Sequence, residues 1–187
     1  MSRYHRHSLA RARRRCCVRF GHTRVLCSLL GHDRYGYFPT TCHVGPHWGC
    51  LLVTYCLAIG PFVVLVLLVD ELLLGLQVAL CASMCLTTVS LTMVACSDPG
   101  VVFHDVDTDV EDGETGIVCA QCEVRRPLDA SHCSDCGVCV RELDHHCPWT
   151  GKCVGKRTIK LFYVFLTLIS LHCMLVGAVC LVTFAAT

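Results

Sequence analysis

The sequence predicts an α-helical polytopic membrane protein with a small, loop-rich, cysteine-rich domain outside the bilayer. Three observations carry that prediction. Hydrophobic residues make up 53% of the 187 positions and charged residues only 17%, against roughly 25% charged in an ordinary soluble domain, and mean hydropathy is +0.54. The apolar residues gather into three long uncharged runs rather than being scattered. Between Cys119 and Cys153 seven cysteines and three histidines crowd into a segment that lacks such a run. Composition of this kind excludes an ordinary soluble globular domain and an intrinsically disordered chain, which needs low hydrophobicity and high net charge.

Residues 1–47 form a basic N-terminal segment. Nine arginines lie between Arg3 and Arg34, and residues 1–32 hold eight of them with no acid. A mitochondrial transit peptide has a similar composition. A membrane hairpin follows, however, so the segment reads as a juxtamembrane region drawn to anionic cytoplasmic lipid by about 1 kcal/mol per charge. Its longest apolar stretch, Val25 to Leu30, is too short for a secretory signal. Cys16 and Cys17 are candidates for lipidation.

Residues 48–96 read as a transmembrane hairpin, with helices over about 50–69 and 72–96. At ~1.5 Å per residue, about twenty residues cross the ~30 Å hydrocarbon layer. Gly60-Pro61 falls inside the first run, and membrane helices tolerate both residues. Thr87, Thr88, Ser90 and Thr92 in the second run are suited to bonding backbone or packing against a neighbour. Only Asp70 and Glu71 interrupt the apolar sequence, which implies a short turn. Three helices apolar on every face cannot be buried within a chain of this size, so lipid is the expected surrounding.

Residues 97–118 form an acidic linker, with six acids between Asp105 and Glu114. A third span covers 159–187, with His172 deep within it. No basic residue lies between Tyr35 and Val124, so the positive-inside rule places both basic blocks, and with them the cysteine-rich segment, in the cytosol. The Asp70-Glu71 turn is then lumenal or external. The chain stops at the end of the third run without a polar anchor, and the expectation is a fragment of a longer product.

The cysteine-rich segment, 119–158, has regular spacing: Cys-x2-Cys, then His-Cys-x2-Cys-x2-Cys, then Asp-His-His-Cys, then Cys153. Thiols stay reduced in the cytosol, so disulfides are disfavoured and paired Cys-x2-Cys units point to structural zinc. The segment has little apolar content, so metal must stabilise it. Two tetrahedral sites take eight ligands, and ten candidates are present: Cys119, Cys122, His132, Cys133, Cys136, Cys139, His145, His146, Cys147 and Cys153. If each site takes three Cys and one His, one Cys and one His remain. A free thiol beside a free imidazole is a candidate nucleophile and base, and Asp144 before His145 is placed to orient the ring. Spacing alone leaves Cys147 and Cys153 in competition for the free position. A zinc module without chemistry remains equally open on spacing alone. Nucleic acid is excluded as a partner, because the loop is not strongly basic and lies between membrane helices.

At Asp144-His145-His146-Cys147 the sequence resembles the DHHC family of protein S-acyltransferases (palmitoyltransferases). The resemblance extends over Asp98-Pro99-Gly100, Arg126-Pro127, Ala130-Ser131-His132-Cys133, Cys147-Pro148-Trp149, Gly151, Cys153-Val154-Gly155 and Phe162. It implies one zinc held by Cys119, Cys122, His132 and Cys139, and a second held by Cys133, Cys136, His146 and Cys153. It implies Cys147 as nucleophile, His145 as base and Asp144 as its orienter. The implied activity forms an S-acyl-enzyme from long-chain acyl-CoA and passes the acyl group to cysteines of membrane-associated proteins. The implied location is the Golgi, endoplasmic reticulum or plasma membrane.

Several residues depart from the family pattern. Asp129 stands where the family usually has Arg, leaving Arg126 and Arg125 as the basic residues for CoA phosphate. Lys152 and Thr158 replace usual asparagines, and Thr150 replaces a branched apolar residue. A fourth helix and the family's Thr-Thr-x-Glu motif are not among these 187 residues. The alternative that follows is a truncated, inactive, membrane-anchored zinc module that binds partner proteins.

Overall fold

A computed structural model describes residues 18–28, 41–68, 73–102 and 116–185. Cys16, Cys17, the Asp70-Glu71 turn and the acidic run 105–114 lie outside the described residues. The elements in chain order are β1 (Val18–Phe20), β2 (Thr23–Ser28), β3 (Thr41–Val44), α1 (Trp48–Leu68), α2 (Leu74–Cys96), β4 (Ile117–Val118), β5 (Arg125–Arg126), β6 (Ala130–Cys133), β7 (Val138–Arg141), β8 (His145–Cys147), β9 (Lys152–Val154) and α3 (Ile159–Ala185).

All three helices are long and apolar enough to cross a membrane, and the protein is an integral membrane protein. Large side chains such as Leu57, Leu67, Val78, Leu86, Met174 and Leu181 are exposed around the bundle, as a lipid-facing surface requires. The bundle is joined at both ends. Leu51, Leu91, Val94, Ala95 and Phe165 pack together at one end, and Leu65, Leu80 and Val179 at the other. α1 carries Pro61 without interruption.

Polar side chains inside the bundle bond across helices as well as to their own turns. Tyr55 and Thr92 share a hydroxyl bond of 2.6 Å between α1 and α2. Thr87 donates to the Leu168 carbonyl at 3.3 Å. His172 is buried and joins all three helices: Nδ1 lies 2.9 Å from Ser83 Oγ and Nε2 3.0 Å from the Ala58 carbonyl. In the bilayer interior such groups need internal partners, and here they have them.

The segment before α1 is a three-stranded antiparallel sheet in the order β1-β2-β3. Beyond α2, three short hairpins, β4-β5, β6-β7 and β8-β9, make up the cysteine-rich domain. Its apolar clusters are small and built largely around cysteines.

The Asp98-Pro99-Gly100 segment joins this domain to the bundle. Asp98 is buried, and its Oδ1 accepts from the amides of Gly100 (2.9 Å) and Val101 (2.8 Å). Its Oδ2 pairs with Arg157 at 2.5 Å, just before α3 begins. The Arg141 amide donates to the Gly100 carbonyl at 2.9 Å. One buried carboxylate thus ties the end of α2, strand β7 and the start of α3 together.

Candidate metal centres and active site

The two four-residue sets share one construction. In the first, Cys119 and Cys122 sit on the tight turn between β4 and β5, where Glu123 N donates to the Cys119 carbonyl at 2.8 Å. His132 and Cys139 complete it as directly opposed partners on β6 and β7. In the second, Cys133 and Cys136 sit on the β6-β7 turn, and His146 and Cys153 are opposed partners on β8 and β9. Each set is therefore one turn plus one cross-strand His-Cys pair. The β6-β7 hairpin contributes its strands to one set and its turn to the other. Side chains alternate along a strand, so adjacent His132 and Cys133 can serve different sets.

The ligand atoms within each set lie within 4.8 Å of one another. His132 Nδ1 is 3.2, 3.6 and 3.9 Å from the sulfurs of Cys122, Cys119 and Cys139. His146 Nδ1 is 3.4, 3.5 and 3.8 Å from those of Cys136, Cys133 and Cys153. A tetrahedral site with bonds of about 2.0–2.3 Å has edges of about 3.3–3.8 Å, so both sets fit a small tetrahedral cation.

The thiols fit one as well. Hydrogen bonds from Cys136 and Cys153 hold the Cys133 thiol far below its ordinary value. The hydrogen bond to Cys133 pushes Cys136 up to about 12, and the same partner raises Cys153 further. In the first set, burial raises Cys139 and Cys122. Burial also works upward on Cys119, but hydrogen bonds from Cys122 and Gln121 outweigh it and lower that thiol. In each set one thiol is lowered and two are raised, and a dication would supply the charge that lets all three ionise.

Asp144, His145 and Cys147 lie outside both sets. Strand β8 runs His145-His146-Cys147, and the period of two places His145 and Cys147 on the face opposite His146. His146, between them, belongs to the second set. His145 Nδ1 lies 2.8 Å from Asp144 Oδ2, and the ring meets Phe162 of α3 edge-on at 5.1 Å. Cys147 is buried. After it, Pro148 to Thr150 form a single 3-10 turn closed by Gly151 at φ +84°. Thr54 of α1 donates to the Trp149 carbonyl at 2.8 Å, and Trp149 itself is exposed. The turn that follows β8 is thus held on α1.

Residues 113–187 match the family model described as DHHC palmitoyltransferase. The chain is 38% identical over 95 residues to palmitoyltransferase ZDHHC17 of Danio rerio, covering 45% of this chain and 15% of the relative. It is 55% identical over 53 residues to palmitoyltransferase ZDHHC9 of Homo sapiens, 28% of this chain and 15% of the relative. It is 42% identical over 64 residues to palmitoyltransferase ZDHHC8 of Drosophila melanogaster, 34% of this chain and 7% of the relative. Residues 113–187 are thus similar to a DHHC domain. The chain's matched part spans about 15% or less of the length of these relatives.

Within the matched segment the residues that depart from the family pattern have definite surroundings. Asp129 is paired with Arg141 at 3.0 Å and lies 3.7 Å from Lys156, which in turn meets Glu142 at 2.5 Å. The acid is neutralised locally. Arg125 donates to the Gly116 carbonyl at 3.2 Å. The Nε of Arg126 is buried and has no hydrogen-bond partner among the described residues. Lys152 is fully buried, and its ammonium donates to the Ser97 carbonyl at the end of α2. Thr158 is buried beside Gly155, whose amide donates to its hydroxyl at 3.2 Å.

One neighbour of the site carries no signal in the sequence spacing. His47, immediately before α1, has its Nδ1 2.8 Å from His146 Nε2. Ninety-nine positions separate the two rings, and no motif or periodicity connects them.

Proposed function

We propose that this chain is the membrane-embedded catalytic part of a protein S-palmitoyltransferase. The observation that carries the reading is the strand of the Asp-His-His-Cys motif: its middle histidine joins a metal set, while His145 and Cys147 share the other face and Asp144 lies 2.8 Å from His145 Nδ1. With Nδ1–H donating to Asp144, His145 Nε2 is left as the proton acceptor. The Cys147 thiol gives its proton to Nε2 and its sulfur attacks the thioester carbon of a long-chain acyl-CoA. The S–C bond to CoA breaks, and the departing thiolate takes the proton from His145. In the second step a cysteine of a membrane-associated protein loses its proton to His145 and attacks the S-acyl-enzyme. Cys147 leaves as thiolate and recovers the proton. This is covalent catalysis in two exchanges of similar energy.

The metal we assign is zinc, two ions per chain, held by Cys119, Cys122, His132 and Cys139 and by Cys133, Cys136, His146 and Cys153. Filled by four protein ligands, each ion would supply structure and no open position for substrate. Arg126 and Arg125 are the basic groups assigned to CoA phosphate, and the unpaired Nε of Arg126 supports that role. The acyl tail belongs among the helices and CoA in water, which accounts for a nucleophile placed where the bundle ends. The DHHC domain then faces the cytosol of an endomembrane or the plasma membrane, with the bilayer, acyl-CoA and cysteine-bearing proteins as partners.

The test is acylation of the purified chain by an alkyne analogue of palmitoyl-CoA. A hydroxylamine-sensitive label is expected on Cys147 and is abolished in Cys147→Ser, with zinc content unchanged. Labelling that survives the substitution overturns the assignment. Two bound zinc ions without any acyl-enzyme would favour the inactive, partner-binding zinc module.

A further inference from the structure

Of the two metal sets, one has a built outer partner. His146 turns Nδ1 to three sulfurs at 3.4–3.8 Å. Its Nε2 points the other way, 2.8 Å from His47 Nδ1, with the rings edge-on and 4.8 Å apart. A neutral imidazole that ligates through one nitrogen carries its proton on the other. His146 Nε2–H is therefore the donor and His47 Nδ1 the acceptor.

The backbone holds His47 in place for this. Its amide donates to the Gly151 carbonyl at 3.3 Å, and its carbonyl accepts from Leu51 N at 3.2 Å as α1 begins. Two residues earlier, Gly45 runs so close to the β8-β9 hairpin that a Cβ there would lie 2.1 Å from the Gly151 carbonyl oxygen and 2.4 Å from Lys152 Cβ. Farther up the chain, the His22 amide donates to the Cys136 carbonyl at 2.8 Å, and Gly21 passes against Gly137. The stretch before the first membrane helix thus touches the second set at its turn and at its strand pair. In the first set, His132 Nε2 has no hydrogen-bond partner among the described residues.

We infer that His47 is a positioning residue of the second metal set: it accepts the outer proton of ligand His146, fixes that ring, and couples the start of α1 to the strand bearing His145 and Cys147. The inference rests on the reading of that set as a zinc site. Outer hydrogen bonds of this kind orient the ligand and raise its basicity, and losing one typically costs about 10–100-fold in metal affinity. His145 and Cys147 flank His146 directly, so a ring that tilts carries both reacting groups with it.

The experiment follows zinc transfer from the purified full chain, in detergent or nanodiscs, to a chromophoric chelator. The first-set phase is identified by its loss in Cys122→Ser. His47→Leu is expected to speed release from the second set about 10–100-fold and to leave the first-set phase unchanged. His47→Asn, whose side-chain oxygen can occupy nearly the place of Nδ1, is expected to restore slow release. Unchanged release in His47→Leu overturns the inference, as does equal acceleration of both phases, which would mean general loosening. So does a His47→Asn variant that behaves like His47→Leu. A wild-type chain that fails to hold two zinc ions brings down the zinc reading and this inference together, whereas two ions with unchanged His47→Leu release bring down the inference alone.

Discussion

The two Cys3His sets are built alike and placed differently. Both combine a cysteine turn with a cross-strand His-Cys pair, and both crowd three sulfurs around an imidazole Nδ1. The first set joins β4-β5 to β6-β7 and contains neither His145 nor Cys147. The second lies between β6-β7 and β8-β9, and its histidine stands between His145 and Cys147. One set joins two hairpins of the fold, while the other also fixes the strand that carries the residues proposed for the chemistry. The difference lies in which strand supplies the histidine, not in the ligands themselves.

The largest expected effect comes from removing both metals, which tests what the sets share. The cysteine-rich domain has small apolar clusters, and structural zinc in small domains contributes on the order of 10 kcal/mol. Chelation at neutral pH is expected to unfold residues 116–158 while the helices persist, seen as lost amide-exchange protection confined to that segment. Acid acts in the same direction. Cys136, Cys139 and Cys153 are pushed upward and hold their protons without a cation, so metal must displace them. Affinity is therefore expected to rise with pH across the neutral range and fall below it. A zinc affinity flat between pH 6 and 8 would contradict this.

A smaller effect separates the sets. Asp144→Asn leaves both sets intact and weakens only the orientation of His145. Acylation of Cys147 is expected to fall by roughly 10²–10⁴-fold with two zinc ions still bound. Loss of a zinc ion in this variant would mean that Asp144 supports the second set rather than the imidazole. The smallest effect concerns Asp129, whose pairs with Arg141 and Lys156 are partly exposed. Asp129→Ala is expected to change stability by at most about 1 kcal/mol, measured by denaturation of the zinc-loaded chain. It removes the carboxylate paired with Arg141, while Lys156 keeps Glu142. A lower KM for acyl-CoA in that variant would show that Asp129 tempers cofactor binding.

Much of the architecture was legible because its causes are local. An uncharged run long enough to cross a bilayer declares itself, and the helices Trp48–Leu68, Leu74–Cys96 and Ile159–Ala185 fall on the three runs. A Cys-x2-Cys turn is a four-residue unit. The hairpins were less legible: β4 to β9 are two to four residues long, too short for alternation to stand out among cysteines. The basic segment read as a juxtamembrane region drawn to lipid, yet residues 18–28 and 41–44 form a sheet against the second set's turn. Arginine content hid that, because the contacts holding the sheet are backbone bonds and close glycine passages, which leave little trace in composition.

By itself the sequence determined the solvent of each region, the number of spans and the inventory of ten candidate ligands, because hydrophobic length and cysteine spacing act over a few residues. It left Cys147 and Cys153 equivalent by spacing. The tertiary structure separates them: Cys153 opposes His146 across β8-β9 and enters the second set, while Cys147 opposes Lys152 and stays outside both. It also brings His47 to His146 from the far side of two membrane helices. Strand pairing and ring contacts of that kind depend on chain closure over tens of residues, and only the folded chain settles which side chains meet.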